Sequence, residues 1–249
     1  MPPIVTLAAV TRNLVWITGA SSGIGAALVE TCPWPDARII GTSRRPPPAP
    51  AEHLAADLSD PASWPGIMRS LAEAVAGERP ARVVLFQAAG ALEPIGFAGR
   101  VDDSAYCRNV ILNSAAPQVI GQAFLGATSG VTRRHLVMLT SGAATTPYPG
   151  WSSYGAAKAA LDQWVRTVGA EQAGVENAAH VLAVAPGTVD TDMQARVRAA
   201  TEAEFPQRQK FEDLHRARKL APPDEVARRM WALLDSGLAT GAVVDLRHL

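Results

Sequence analysis

The sequence predicts an α/β fold: a doubly wound parallel sheet of about seven strands with helices on both faces. Three observations predict it. Short apolar runs alternate with helix-like segments along the whole chain, the pattern of parallel strands joined by right-handed crossovers. The runs show no polar alternation, as expected of strands buried on both faces. The first run ends in a glycine-rich stretch that opens a helix, where sheets of this kind cradle phosphates.

The elements follow in order. Leu14-Val15-Trp16-Ile17 is the first strand and runs into Thr18-Gly19, and Ala26–Glu30 continues as a helix. Arg38–Thr42, Val83–Phe86, His135–Leu139, His180–Ala185 and Ala242–Asp245 are the further strand candidates. Pro46–Pro50 is a surface loop and not a linker, because the strand–helix pattern resumes at once. Residues 193–222 are rich in Arg, Glu and Gln, with Phe205 and Phe211 interspersed. They read either as a solvated helical face or as a flap over a site, and their position after Pro186-Gly187 favours the flap. No repeat and no second domain is visible, so residues 1–249 are expected to form one domain, with 1–12 as an N-terminal extension.

A length of 249 residues suits one such domain, with a core large enough to need no staples. Lys and Arg number 23, as do Asp and Glu, and no basic stripe appears, which argues against a nucleic-acid partner. No apolar run reaches membrane-spanning length, and the start lacks the basic region and cleavage pattern of a signal peptide. Cys32 and Cys107 form neither a disulfide framework nor a metal site. Both are expected to be reduced and structural, which suits a cytoplasmic protein.

Two patterns carry chemistry. In Thr18–Gly25 the spacing is Gly-x-x-x-Gly-x-Gly. Glycines there allow a tight turn and close approach to a pyrophosphate, and the helix N-terminus adds free N–H groups. Gly19, Ser21, Ser22, Gly23, Ile24 and Gly25 are therefore the expected phosphate cradle. About 20 residues on, an NAD site usually carries an acid for the ribose. Here Gly41-Thr42-Ser43-Arg44-Arg45 has none. A guanidinium at that place pairs with a 2′-phosphate, so Arg44 and Arg45 favour NADP(H) over NAD(H), unless both are merely solvated. Asp57 and Leu58 are expected to border the adenine.

The second pattern is Tyr154-x-x-x-Lys158, with Ser141 thirteen residues upstream. Residues four apart share a helix face. A free tyrosine titrates near ~10. An ammonium beside it favours the phenolate and lowers that value, which makes a usable general acid or base. By itself the spacing also fits an exposed helical pair.

Thr18–Gly25, Ala89-Gly90, Asn113, Ser141, Tyr154-Gly155-Ala156-Ala157-Lys158 and Pro186-Gly187-Thr188-Val189-Asp190-Thr191, in this order, resemble the short-chain dehydrogenase/reductase family in its small, single-domain Rossmann form. The resemblance runs from Leu14 to about Asp245. It implies that Tyr154 passes a proton to or from the substrate oxygen, that Lys158 lowers the Tyr154 pKa and holds the nicotinamide ribose, and that Ser141 polarises the substrate oxygen. It implies that Asn113 holds a water linking Lys158 to solvent. Asn113 is preferred to Asn109 because it heads Asn-Ser-Ala-Ala-Pro, 28 residues before Ser141. Ala88, Ala89, Gly90, Pro186, Gly187, Val189 and Thr191 are implied to line the cofactor. A homodimer or homotetramer is implied, with Ala157, Ala160, Leu161, Trp164 and Val168 serving either that interface or the core. One departure stands out: Gln87-Ala88 replaces the family's Asn-Asn, whose side chain ties neighbouring strands. Ser22 is neutral where many NADP-specific members carry a basic residue, which leaves specificity to Arg44 and Arg45.

Pro147–Trp151, Glu93-Pro94-Ile95 and the ending Gly241–Asp245 are similar to the branch of sepiapterin and benzil reductases. That branch uses NADPH to reduce one carbonyl of a vicinal dicarbonyl. Tyr148 and Trp151 are then an aromatic wall beside Ser141 and Tyr154, although Trp151 could equally pack its loop against the helix. The expectation is an NADP-dependent carbonyl reductase acting on a small molecule, with no metal. A dehydrogenase of a sugar, steroid or fatty-acyl alcohol is the alternative in the same fold. A non-catalytic NADP-binding sensor is disfavoured by the presence of Ser141, Tyr154 and Lys158 together.

Overall fold

The computed structural model describes residues 13–249, and the expected 1–12 extension lies outside them. The order is β1 (Asn13–Thr18), α1 (Gly23–Glu30), β2 (Arg38–Ser43), β3 (Glu52–Ala55), α2 (Trp64–Glu78), β4 (Arg82–Gln87), α3 (Asp103–Val110), a π-helical stretch (Ile111–Ala115), α4 (Ala116–Ala127), β5 (Arg133–Leu139), α5 (Ser152–Gln172), β6 (His180–Ala185), α6 (Asp192–Ala199), α7 (Arg208–Arg216), α8 (Pro223–Leu233) and β7 (Val243–Asp245). All seven strands are parallel, in the order β3-β2-β1-β4-β5-β6-β7.

Successive strand residues point to opposite faces, so each apolar run feeds two cores. Leu14, Trp16, Leu85, Leu136 and Met138 pack on one face with Leu71, Phe124, Leu161 and Val165 of α2, α4 and α5. Val15, Ile17, Phe86, Val137 and Val184 pack on the other with Leu28 of α1 and Met230 and Trp231 of α8. Burial on both sides explains the missing polar alternation. Strand β3 was not among the sequence candidates. It is an edge strand with mostly exposed side chains, so Glu-His-Leu-Ala carries no apolar run to betray it. Leu161 and Val168 belong to the core, Trp164 packs partly against it, Ala157 is buried and Ala160 is half-buried. Cys32 is half-buried, but Cys107 is exposed on α3, contrary to the structural role expected of it. Among the described residues no helix is long and apolar enough to cross a membrane.

The strand order reverses between β1 and β4. A crevice opens at the carboxyl ends of strands at such a switch point, and the candidate residues gather there.

Candidate active site

The glycine turn is shaped by close backbone packing. Gly19 has φ +69°, and a Cβ there would stand 2.7 Å from Ala89 Cα in the loop after β4. A Cβ on Gly25 would meet the Gly19 carbonyl oxygen at 2.2 Å. Any larger side chain at either place would push the helix off the turn. Ser22 caps α1 in an extended conformation, and its hydroxyl makes no capping bond. The first N–H groups of α1 therefore lack a side-chain partner and remain available to an anion.

A cleft of about 650 Å³ runs from this turn past the ends of β2 and β4 to α5. Gly19, Ser21, Ser22, Gly23, Ile24 and Gly25 line it, as do Arg44, Arg45, Asp57 and Leu58. Arg44 and Arg45 are exposed at the end of β2. Asp57 Oδ1 accepts from the Ser59 N–H at 2.9 Å and from its hydroxyl at 2.7 Å. Burial pushes the Asp57 carboxyl up, but the Ser59 bonds and the Arg44 charge outweigh it and hold it below its ordinary range. Ala88, Ala89, Gly90, Tyr154, Lys158, Pro186 and Thr191 complete the expected set along the cleft. Two residues expected there are not brought to its wall. Gly187 lies against the Arg247 side chain, and Val189 is buried in the core and bridges to Ala221.

Gln87, which stands where the resemblance leads one to expect asparagine, ties β4 to β1. Its Oε1 accepts from the Thr18 hydroxyl of β1 at 3.0 Å, while the Ala89 N–H donates to Thr18 Oγ1 at 3.3 Å. Its Nε2 donates to the Pro117 carbonyl oxygen at 3.5 Å. The strand tie thus survives the substitution. Asn113 sits in the π-helical stretch, fully buried. Its side chain accepts from Ala91 N–H at 3.2 Å and donates to Ala91 O at 2.8 Å and Asn109 O at 3.0 Å. Asn109 donates to Ala91 O at 3.0 Å and Glu93 O at 2.7 Å. The two asparagines together clamp the loop after β4. Asn109, not Asn113, lines the cleft.

Tyr154 and Lys158 rise from α5, and Ser141 follows β5. Ser141 Oγ accepts the Ala143 N–H at 3.2 Å and so caps the short turn Gly142–Ala144. The Lys158 ammonium donates to the Leu139 carbonyl oxygen at 2.8 Å and stands 5.6 Å from the centre of the Tyr154 ring. Burial pushes the Tyr154 phenol above its ordinary pKa, with a Ser141 hydrogen bond pulling the other way. Burial pushes Lys158 down to about 8, opposed by the Asp162 charge. The net direction is opposite to the lowering expected from Lys158: burial raises the phenol, and the influence that opposes it is the Ser141 hydrogen bond. At neutral pH this leaves a protonated phenol beside a mostly charged ammonium, the arrangement of a proton donor next to a cation.

Beside this trio lies a third apolar cluster. Trp151 stacks on Phe205 at 4.5 Å and 13°, meets the edge of Tyr154 at 5.9 Å, and lies 5.5 Å from Phe211. Tyr148 lies 5.0 Å from Trp151, and its hydroxyl accepts from Lys210 of α7 at 2.9 Å. Phe205 and Phe211 are buried. The 193–222 segment is thus packed onto the site through its two phenylalanines and is not simply a solvated face. Phe205, Phe211, Leu92 and Val197 were not among the expected site residues; only the two phenylalanines in a polar stretch hinted at them. Arg196 of α6 pairs with Glu93 of the loop after β4, both on the cleft wall.

Known proteins resemble the chain in sequence and fold. The family model for short chain dehydrogenase matches residues 13–202. The chain is 30% identical over 240 residues to a benzil reductase ((S)-benzoin forming) of Bacillus subtilis (strain 168), covering 95% of this chain and 99% of that one. It is 27% identical over 260 residues to the sepiapterin reductase of Bos taurus, with 94% of each chain covered. The crystal structure of the KRED1-Pglu enzyme superposes with a TM-score of 0.79 at 25% identity, covering 93% of this chain and all of that one. The ordered glycine turn, the Ser141–Tyr154–Lys158 cluster and these likenesses lead to one conclusion: the chain belongs to the short-chain dehydrogenase/reductase family, oxidoreductases acting on CH–OH and C=O groups.

Proposed function

We propose that this oxidoreductase is an NADPH-dependent carbonyl reductase whose preferred substrates are vicinal dicarbonyls. The observation that carries the reading is a single cleft that joins Arg44, Arg45 and the glycine turn to Tyr154 and Lys158. The residues fit a dinucleotide: the first turn of α1 has unpartnered N–H groups, and the glycine backbone is open to close approach. Gly19, Ser21, Ser22, Gly23, Ile24 and Gly25 would hold its pyrophosphate. Arg44 and Arg45 would hold the 2′-phosphate, and Asp57 and Leu58 the adenine. When bound, the nicotinamide supplies the hydride.

The chain's own residues do the rest. Ser141 donates a hydrogen bond to the substrate oxygen and polarises it. Tyr154 keeps its proton until negative charge develops on that oxygen, then delivers it. The Lys158 ammonium stabilises the phenolate left behind, and Lys158 would hold the nicotinamide ribose. Asn113 fixes the loop behind Lys158 and supports its link to solvent. The carbonyl carbon gains the hydride and its oxygen gains the tyrosyl proton, so an alcohol forms. Tyr148 and Trp151, with Phe205 and Phe211, make the aromatic side of the site, and residues 193–222 serve as its flap. The same reading takes the protein as a cytoplasmic homodimer or homotetramer.

The test is NADPH oxidation, against NADH, over vicinal diketones, sepiapterin-like pterins, simple ketones and keto sugars. Fastest turnover of diketones with NADPH is expected. Turnover confined to other carbonyls rejects the substrate class, and a preference for NADH rejects the assignment of Arg44 and Arg45.

A further inference from the structure

Beneath Lys158 lies a second buried ionisable side chain that the reaction above leaves unused. Asp162 follows Lys158 by four residues, on the same inward face of α5. Each is only 4% exposed. Asp162 Oδ1 is buried without a hydrogen-bond partner. An unmet buried carboxylate oxygen costs free energy unless a nearby charge compensates it. The Thr140 hydroxyl borders the carboxylate and donates to the Lys158 carbonyl oxygen at 3.5 Å. Thr140 stands between Leu139, whose carbonyl oxygen accepts the Lys158 ammonium, and Ser141. Asp162 thus meets the strand end that carries both the anchor of the lysine and the serine. The charged groups facing it are Lys158 and Arg166 of its own helix. The end of β5 presents the Thr140 hydroxyl.

We infer that Asp162 is a positioning residue of the reaction: its carboxylate, one turn below Lys158 and seated on Thr140, keeps the Lys158 ammonium charged and aimed at the Leu139 carbonyl oxygen. The inference rests on the reading of Lys158 as part of the catalytic set. A nearby negative charge favours the ammonium. It therefore opposes the burial that pushes Lys158 down to about 8. In return, Arg166 and Lys158 favour the ionised carboxylate against the burial that pushes Asp162 up.

Only Lys158, Lys210 and Lys219 occur in the chain, so the lysine side-chain signals of isotopically labelled protein can be assigned by substitution and titrated directly by NMR. In Asp162→Asn the Lys158 midpoint is expected to fall by about one pH unit, with Lys210 and Lys219 unmoved. The alkaline limb of kcat/KM, read on any ketone the wild type reduces, should move with it. Asp162→Glu should restore most of the shift. A Lys158 midpoint that stays put in Asp162→Asn overturns the inference, even if kcat falls, because a merely structural role would lower activity or stability without moving that titration. Should Asp162→Asn fail to fold, Thr140→Val carries the test: a smaller fall of the same sign supports the link, and no fall overturns it. The NMR midpoint needs no turnover, so it can fail while Tyr154→Phe still shows the catalytic assignment to hold, and the reverse is equally visible.

Discussion

The two ends of the cleft are built from different materials. At the glycine turn the wall is backbone: Gly19 and Gly25 pass against neighbouring main chain, and the side chains that face outward, Ser22, Arg44 and Arg45, are exposed. At the other end Leu92, Tyr154 and Met193 of the wall are backed by a packed cluster in which Trp151, Phe205 and Phe211 are buried and Trp151 stacks on Phe205. The first end can recognise an anion through N–H groups and charge without taking part in the core. The second cannot change without cost to packing, because its rings hold residues 193–222 to the body. On the proposed function, cofactor specificity is therefore separable from stability and substrate specificity is not.

The comparison breaks most visibly at the residue between the two ends. Tyr154→Phe keeps the ring that Trp151 packs against and removes only the hydroxyl. Turnover should fall by about 10²–10⁴-fold, the scale of a lost general acid. The NADPH dissociation constant and the melting temperature should hardly move. Retained turnover would remove Tyr154 from the mechanism. Next in size is Phe205→Ala at the packed end. Phe205 is fully buried, and such truncations cost ~3–5 kcal/mol. Chemical denaturation should show a loss on that scale together with a raised KM. A raised KM with unchanged stability would mean that the flap opens without disturbing the body, and the contrast between the two ends would vanish.

At the open end, neutral replacement of both Arg44 and Arg45 should weaken NADPH binding by roughly tenfold or more relative to NADH, since a hydrogen bond to a charged group is worth ~1.5–3 kcal/mol. Stability should stay within ~0.5 kcal/mol, as for exposed side chains with no other task. Titration of each nucleotide by fluorescence reads this out. Equal losses for NADPH and NADH would assign the arginines to the pyrophosphate or to solvent instead.

The same contrast governs what could be read from sequence. The backbone-built end was legible, because a turn that needs glycines announces them at fixed spacing and the strands around it are uninterrupted apolar runs. Tyr154 and Lys158 were legible for a similar reason: one helical turn fixes their relation. The packed end was only half visible. Phe205 stands 54 residues from Trp151 in sequence, and no local period ties them together, so only tertiary packing brings them to 4.5 Å. Strand β3 was missed because an edge strand needs no apolar run. At Tyr154, spacing reports the neighbouring ammonium but not the burial that raises the phenol. Gln87 shows the converse limit: the departure was visible, while its replacement bond to Thr18 depends on a strand pairing that only the fold supplies.

The smallest expected effect is at the ion pair across the cleft. Arg196 and Glu93 are 63% and 42% exposed, and a pair so solvated contributes about 0–1 kcal/mol. Arg196→Ala should therefore leave the melting temperature almost unchanged. The pair nonetheless joins α6 to the loop that Asn109 and Asn113 clamp, so it ties residues 193–222 to the cleft wall. Releasing it should change KM by no more than about fivefold, the range of such a weak tie. The difference between variant and wild type should shrink as salt screens the wild-type pair. KM measured at low and high ionic strength in both proteins decides the matter. A larger change that ignores salt would place Arg196 in direct contact with substrate, and the packed end would then carry a charged specificity element alongside its aromatic one.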